Sequence, residues 1–194
     1  MIGFERRTAT GRIPVFGPNA ETATGGYLLV MAGLTKDTVL VAGTPLVLDD
    51  VNRTATVLHT AVAKANAGGA ATTYQVAKGH TFQVGDYMAS GATGGKAYAI
   101  TAIDTSNSAY DTLTVGTSIG AVTAGDLLFA STATGATSSA LAGANGLLYE
   151  ETVARVGTSV SAVIRGTAYA RRIPVNAAIM ALPGLRFILF SQSR

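Results

Sequence analysis

Ala97-Tyr98-Ala99-Ile100-Thr101-Ala102-Ile103, the polar stretch Asp104–Asp111 and Thr112-Leu113-Thr114-Val115 together decide the fold class. Both flanks alternate with period two, as a strand does when it buries one face. The stretch between them is short-chained and polar, so the whole reads as a β-hairpin. The same pattern continues outward. Upstream lie Tyr27–Met31, Thr38–Val41, Leu46–Leu48 and the run Arg53–Ala63, where Ala55, Val57 and His59 are set against Thr56, Leu58 and Thr60. Downstream lie Leu147–Tyr149, Ser159–Arg165, Thr167–Ile173 and a last strand, Leu185–Phe190. One short helix is expected, Val175–Leu182, with Pro174 in its first turn and Pro183-Gly184 closing it. Strands recurring every 8–12 residues or so between frequent turns predict a mainly β chain, a small barrel or sandwich with one helix near its C-terminus.

The turns repeat a theme. Val84-Gly85-Asp86-Tyr87-Met88 is echoed by Ala124-Gly125-Asp126-Leu127-Leu128-Phe129 and more loosely by Ala42-Gly43-Thr44-Pro45-Leu46. In each, glycine supplies the turn and an apolar strand follows, while Asp86 and Asp126 can accept backbone N–H groups. A second echo relates Gly116–Val122 to Gly157–Val163. No full repeat aligns, so recurring turn chemistry explains both echoes better than duplication. The Gly/Ala/Thr-rich segments 64–73, 89–95 and 130–146 read as loops. Residues 1–26 read as an extended arm, because Pro14 and Pro18 with Gly11, Gly17, Gly25 and Gly26 block a helix. Fully extended it would reach about 80 Å, and it must lie either on its own domain or on a partner. The division is therefore an arm over 1–26 and a β domain over 27–194, with an inserted β subdomain over about 74–130 as an option.

Composition narrows function. With no Cys, neither disulfides nor thiolate metal sites are available. Hydrophobic residues make up 48% of the chain, yet no run approaches the roughly 18 apolar residues of a spanning helix. The first residues lack the apolar core of a secretory signal, so synthesis in a cytoplasm is expected. Charge is uneven. Residues 1–12 set Arg6, Arg7 and Arg12 against Glu5; residues 13–154 hold five basic and ten acidic side chains; residues 155–194 hold six Arg and no acid. Arginine suits bidentate carboxylate contacts at protein interfaces. The arginines are not interleaved with stacking aromatics, which argues against nucleic acid.

No catalytic constellation emerges, and no enzymatic activity is expected. His59 falls in a strand pattern and His80 after the turn Lys78-Gly79, with no Gly-x-Ser-x-Gly elbow for either to serve. Asp49-Asp50 and Glu150-Glu151 are adjacent pairs that point to opposite faces of a strand, and Asp104 and Asp111 read as turn formers at a hairpin tip. Ser90–Ala97 loosely matches a phosphate loop but lacks the required first glycine, the Ser/Thr and a following helix. Two histidines 21 residues apart with no clustered acids give no metal site, and no cofactor is expected.

The arm (Phe4-Glu5-Arg6-Arg7, then Glu21-Thr22-Ala23-Thr24-Gly25-Gly26-Tyr27-Leu28-Leu29), Ala42-Gly43-Thr44-Pro45-Leu46 followed by Arg53-Thr54-Ala55-Thr56-Val57-Leu58, Tyr98–Ser106 and Val163–Pro174 resemble head fibre or auxiliary capsid proteins of phages infecting Bacteroidetes, including crAss-like phages. The tail, Ile164–Phe187, is also similar to the end of phage head decoration proteins. The resemblance implies a virion protein on the outer capsid surface that binds the major capsid protein. It would cement capsomers or anchor head-fibre proteins, self-associating as an oligomer such as a trimer, with no membrane or direct nucleic-acid contact. The capsid contacts expected are Phe4, Arg6, Arg7, Arg12, Pro14, Phe16, Arg171 and Arg172. The alternative is an adhesin module that binds host or mucosal glycans through the three Gly/Ala/Thr-rich loops.

Overall fold

The computed structural model describes residues 14–23 and 26–192. Strands hold 40% of the chain and helix 6%, which makes it mainly β. In chain order the strands are β1 (Glu21–Thr22), β2 (Tyr27–Leu29), β3 (Val39–Leu40), β4 (Pro45–Asp49), β5 (Thr54–Val57), β6 (Thr60–Val62), β7 (Thr73–Val76) and β8 (Tyr87–Ser90). They continue with β9 (Ala97–Asp104), β10 (Asp111–Val115), β11 (Leu127–Ser131), β12 (Gly146–Leu148), β13 (Thr152–Val153), β14 (Ser159–Val160), β15 (Ala162–Tyr169) and β16 (Ile188–Ser191).

The expected hairpin is present: β9 and β10 pair antiparallel, Leu113 opposite Ile103 and Thr112 opposite Asp104. A register shift between Thr114 and Val115 turns Ile100 fully inward and leaves Ala102 outside. This hairpin belongs to a six-stranded sheet in the order β6-β11-β8-β9-β10-β7. The two end strands meet, because Lys64 N donates to Gln75 O, Ala77 N donates to Val62 O (both 2.8 Å), and Ala63 bridges Val76. The sheet is thus a closed barrel without a free edge, the arrangement that removes unpaired strand backbone. Tyr74, Phe82, Met88, Ile100, Leu113 and Leu128 fill it.

The larger sheet runs β1-β15-β12-β4-β5-β2-β14, with β16 alongside β15. Only Ser161 separates β14 from β15, so the path β15-β12-β4-β5-β2-β14 leads back along the chain to β15 and closes a second barrel. Leu29, Leu40, Leu46, Leu48, Val57 and Val160 fill this one. A third apolar cluster joins Leu58 and Leu127 to Leu147, Val163, Ile173, Ile179, Leu185 and Ile188. It packs the C-terminal segment where the chain passes between the barrels.

The repeated turns adopt one geometry. Thr44 N donates to Val41 O (3.2 Å), Asp86 N to Gln83 O (3.2 Å) and Asp126 N to Thr123 O (3.0 Å). Gly43, Gly85 and Gly125 hold φ of 86°, 99° and 94°, a conformation open chiefly to glycine. The second echo shares no structure: Gly116–Gly120 forms no strand, whereas Ser159-Val160 pairs with β2.

Several expected boundaries move, each for a local reason. Arg53–Ala63 is not one strand but β5 and β6 in different sheets. Leu58 and His59 are both buried at the crossing, which breaks the expected alternation. Gly166 lies inside β15 rather than between two strands, at φ 129°, with the backbone of Asn19 and Ala20 so close that any Cβ would overlap it. The helix is only Ala177–Met180, begun by Asn176, whose side chain accepts the Ile179 N–H at 3.0 Å. Pro183 starts a 3-10 turn over Pro183–Leu185, so the last strand begins at Ile188.

Candidate docking surface and buried polar clusters

The described part of the arm lies along β15. Gly17 N donates to Thr167 O (2.8 Å), Tyr169 N donates to Val15 O (2.9 Å), and Thr22 sits opposite Val163. Phe16 bridges Ala168 and stacks on Tyr149, the ring centroids 6.0 Å apart. At the far end of β15 the chain makes a 3-10 turn, Ala170–Arg172. There Arg172 Nη1 donates to Pro14 O at 2.7 Å, and its guanidinium covers the Tyr169 ring at 4.7 Å. Pro14 and Arg172, 158 positions apart, therefore meet, with Phe16 opposite Ala168 and exposed Arg171 beside Arg172 in the chain. Phe4, Arg6, Arg7 and Arg12 lie outside the described residues.

β15 also borders an apolar groove. Ile164, Phe187 and Leu189 are 38%, 57% and 68% exposed, unusually open for large apolar side chains near a sheet. Ile164 and Phe187 line a hollow of about 400 Å³ together with Arg165, Glu21, Asn145 and Gly184. Sequence reading missed this groove, since Ile164 reads as one more alternating strand residue.

Each histidine is tied to a carboxylate. His59 Nδ1 is 2.7 Å from Asp86 Oδ2, the same oxygen that accepts Gln83 N at 2.8 Å in the repeated turn. The other side of the His59 ring packs against Gly33, where an added Cβ would stand 2.8 Å from Cε1. His59 is thereby wedged between Asp86 of one barrel and Gly33 beside the other. His80 Nε2 lies 3.5 Å from Asp111 Oδ2, and Lys78 Nζ lies 2.5 Å from Asp111 Oδ1. Burial pushes the His80 imidazole below its usual pKa; the Asp111 carboxylate opposes this and Lys78 adds to it.

The carboxylates divide in a way the sequence does not reveal. Asp49, Asp104 and Asp126 accept backbone N–H groups in turns, from Val51 and Asn52, Ser106 and Thr123 respectively. These bonds hold the Asp49 and Asp104 carboxyls below the ordinary range. Asp111 is not the turn former expected. It is buried at the start of β10 and directed at Lys78 and His80. Asp50 instead accepts the Tyr27 hydroxyl, while Arg53 stacks its guanidinium 4.2 Å above the Tyr27 ring.

The Gly/Ala/Thr loops are more constrained than their composition suggests. Gly94 N donates to Ser139 O (2.7 Å), Gly95 N to Ser139 Oγ (2.8 Å), and Ala97 exchanges backbone bonds with Gly135. Segments 89–95 and 130–146 therefore brace one another. Among the described residues no helix is long and apolar enough to cross a membrane, and no group of three metal-ligating side chains converges. No protein family, curated protein or solved structure matches the chain.

Proposed function

We propose that the chain is a non-catalytic virion protein that binds the outer surface of an assembled phage capsid, where it stabilises capsomers or anchors head fibres. The observation that carries this reading is the contact between Arg172 and the Pro14 carbonyl. It brings Pro14, where the described arm starts, to the Arg171-Arg172 turn. Paired arginines there fit an acidic, carboxylate-bearing protein face. The apolar groove along β15 supplies the desolvated contact that charge alone does not.

The test is binding to purified capsid shells by co-sedimentation. Deleting residues 1–13 removes Arg6, Arg7 and Arg12 and leaves the β15 pairing of 15–22 in place, so it separates docking from folding. Loss of shell occupancy, with binding to undeleted protein weakening as salt rises, is the expected result. Unchanged occupancy after the deletion and after Arg171→Glu overturns the proposal.

A further inference from the structure

Among the carboxylates of the β domain, Asp111 has surroundings of an unusual kind. It opens β10 opposite Val76 of β7, and its side chain is only 6% exposed. Its partners include Lys78 Nζ on Oδ1 and His80 Nε2 on Oδ2. Lys78 is fixed from a second direction, because Nζ also donates to Thr105 O at 2.9 Å. His80 is 7% exposed in its side chain, and its Nδ1 is buried without a hydrogen-bond partner. An amine nitrogen, a buried carboxyl and a buried imidazole thus converge where β7, β9 and β10 end.

We propose that Lys78 and Asp111 condense into an intramolecular isopeptide bond that staples β7 to β10 across the wall of the six-stranded barrel, with His80 as the catalytic residue. A nitrogen in hydrogen-bonding contact with a carboxyl oxygen stands roughly 3–3.5 Å from the carboxyl carbon, the separation of a near-attack arrangement. The ammonium of Lys78 passes one proton to Oδ1, which leaves a neutral amine facing a neutral acid. Nζ attacks Cγ, and the charge that develops on Oδ2 is met by the Nε2–H of His80. Nζ then gives a second proton to Oδ1 as the Cγ–Oδ1 bond breaks. One water leaves, one hydrogen stays on the amide nitrogen, Oδ2 becomes the amide carbonyl, and nothing is oxidised or reduced. The unpartnered Nδ1 fits the tautomer that carries its hydrogen on Nε2, and burial keeps the ring in the neutral form this role requires. The 3.5 Å approach is an ion-pair distance rather than a hydrogen bond, and the role requires it to shorten as negative charge builds on Oδ2. Lys78 retains 38% exposure, which gives the water a way out.

An ordinary buried ion pair is the competing account. Lys78 stays 38% exposed, but the Asp111 carboxylate is buried, and burying that charge is costly unless hydrogen bonds satisfy it. Amide formation removes both charges at once.

Intact-mass spectrometry of the purified full chain tests the proposal directly. The expected spectrum shows a species lighter by one water that grows on incubation at neutral pH, and digestion yields one branched fragment joining the Lys78 and Asp111 peptides. Lys78→Arg keeps the charge pair and the fold but cannot condense, so its mass remains full. That control also excludes water loss at other aspartates. His80→Phe should slow the mass change by about 10²-fold or more, the usual cost of removing one donor to a developing oxyanion. A wild-type mass that stays full after prolonged incubation, or an equal loss of water in Lys78→Arg, overturns the proposal. Neither result bears on capsid docking, which does not involve this cluster.

Discussion

Gly43 leaves no room for a side chain beside Ile173: a Cβ added there would lie 2.1 Å from Ile173 Cγ2. Gly43 closes the first of the repeated turns and Ile173 belongs to the cluster between the barrels, so this contact seats the C-terminal segment on the barrel of β2. Gly43→Ala should cost about 1–3 kcal/mol for overpacking, and the strain of a left-handed alanine adds to that. Gly125 supplies an internal control, since it has φ 94° with no atom within 4 Å of an added Cβ. Gly125→Ala should cost the backbone strain alone, about 1–2 kcal/mol. The difference between the two urea midpoints isolates the packing term; equal losses would show that the Ile173 contact yields freely.

His80 should make stability depend on pH in a defined window. Its folded pKa is lowered, by burial first, from the ordinary 6.5. The unfolded chain therefore binds the proton more readily, and stability falls as pH drops through about 6.5 toward the folded value. Asp49 and Asp104 are also lowered, by hydrogen bonds to their carboxylates, and their contributions are lost only near and below the ordinary 3.8. Between pH 7 and 5 the urea midpoint should decline in the wild type, and His80→Gln should flatten that slope. An unchanged slope in the variant would assign the decline to another group.

Asn145 holds β4 by both halves of its amide: Oδ1 accepts Leu48 N at 2.6 Å and Nδ2 donates to Leu48 O at 3.1 Å. Asn145→Ala leaves both backbone groups without a partner at a partly buried strand end, a loss of about 2–4 kcal/mol. Asn145→Asp should be worse despite its shape, because an anionic oxygen then faces the Leu48 carbonyl. Thermal melts of the two variants check the order.

The elements read correctly from sequence are those whose signal is local. The β9–β10 hairpin has alternation on both sides of a polar tip, and the glycine turns carry their conformation in one residue type. The path from β5 to β6 was not legible, because Leu58-His59 continues an alternating run and only tertiary packing shows that the chain changes sheet there. Barrel closure was equally hidden, depending on Lys64 meeting Gln75 and on the single residue Ser161 between β14 and β15. At the candidate docking surface, the arm and the Arg171-Arg172 pair stood out by charge, but nothing in the chain announced that Arg172 reaches Pro14. Asp111 misled for the opposite reason: its hairpin position matches that of Asp104, and only burial separates a turn former from a carboxyl aimed at a lysine.

The repeated turns allow the contact between His59 and Asp86 to be weighed. Asp86 and Asp126 make the same bond inside their turns, to Gln83 N and Thr123 N, each at 2.8 Å. Only Asp86 is also bonded to a histidine, at 2.7 Å. Asp126→Ala therefore measures the turn bond, and Asp86→Ala measures the turn bond together with the contact between barrels. The second should exceed the first by about 1–2 kcal/mol, the lower range for a charged hydrogen bond because Asp86 is partly solvated. Combining Asp86→Ala with His59→Phe gives the coupling energy itself, since the two losses should not add. Equal costs for the two aspartates, or full additivity in the double variant, would mean that His59 is held by its packing against Gly33 and that the carboxylate adds nothing.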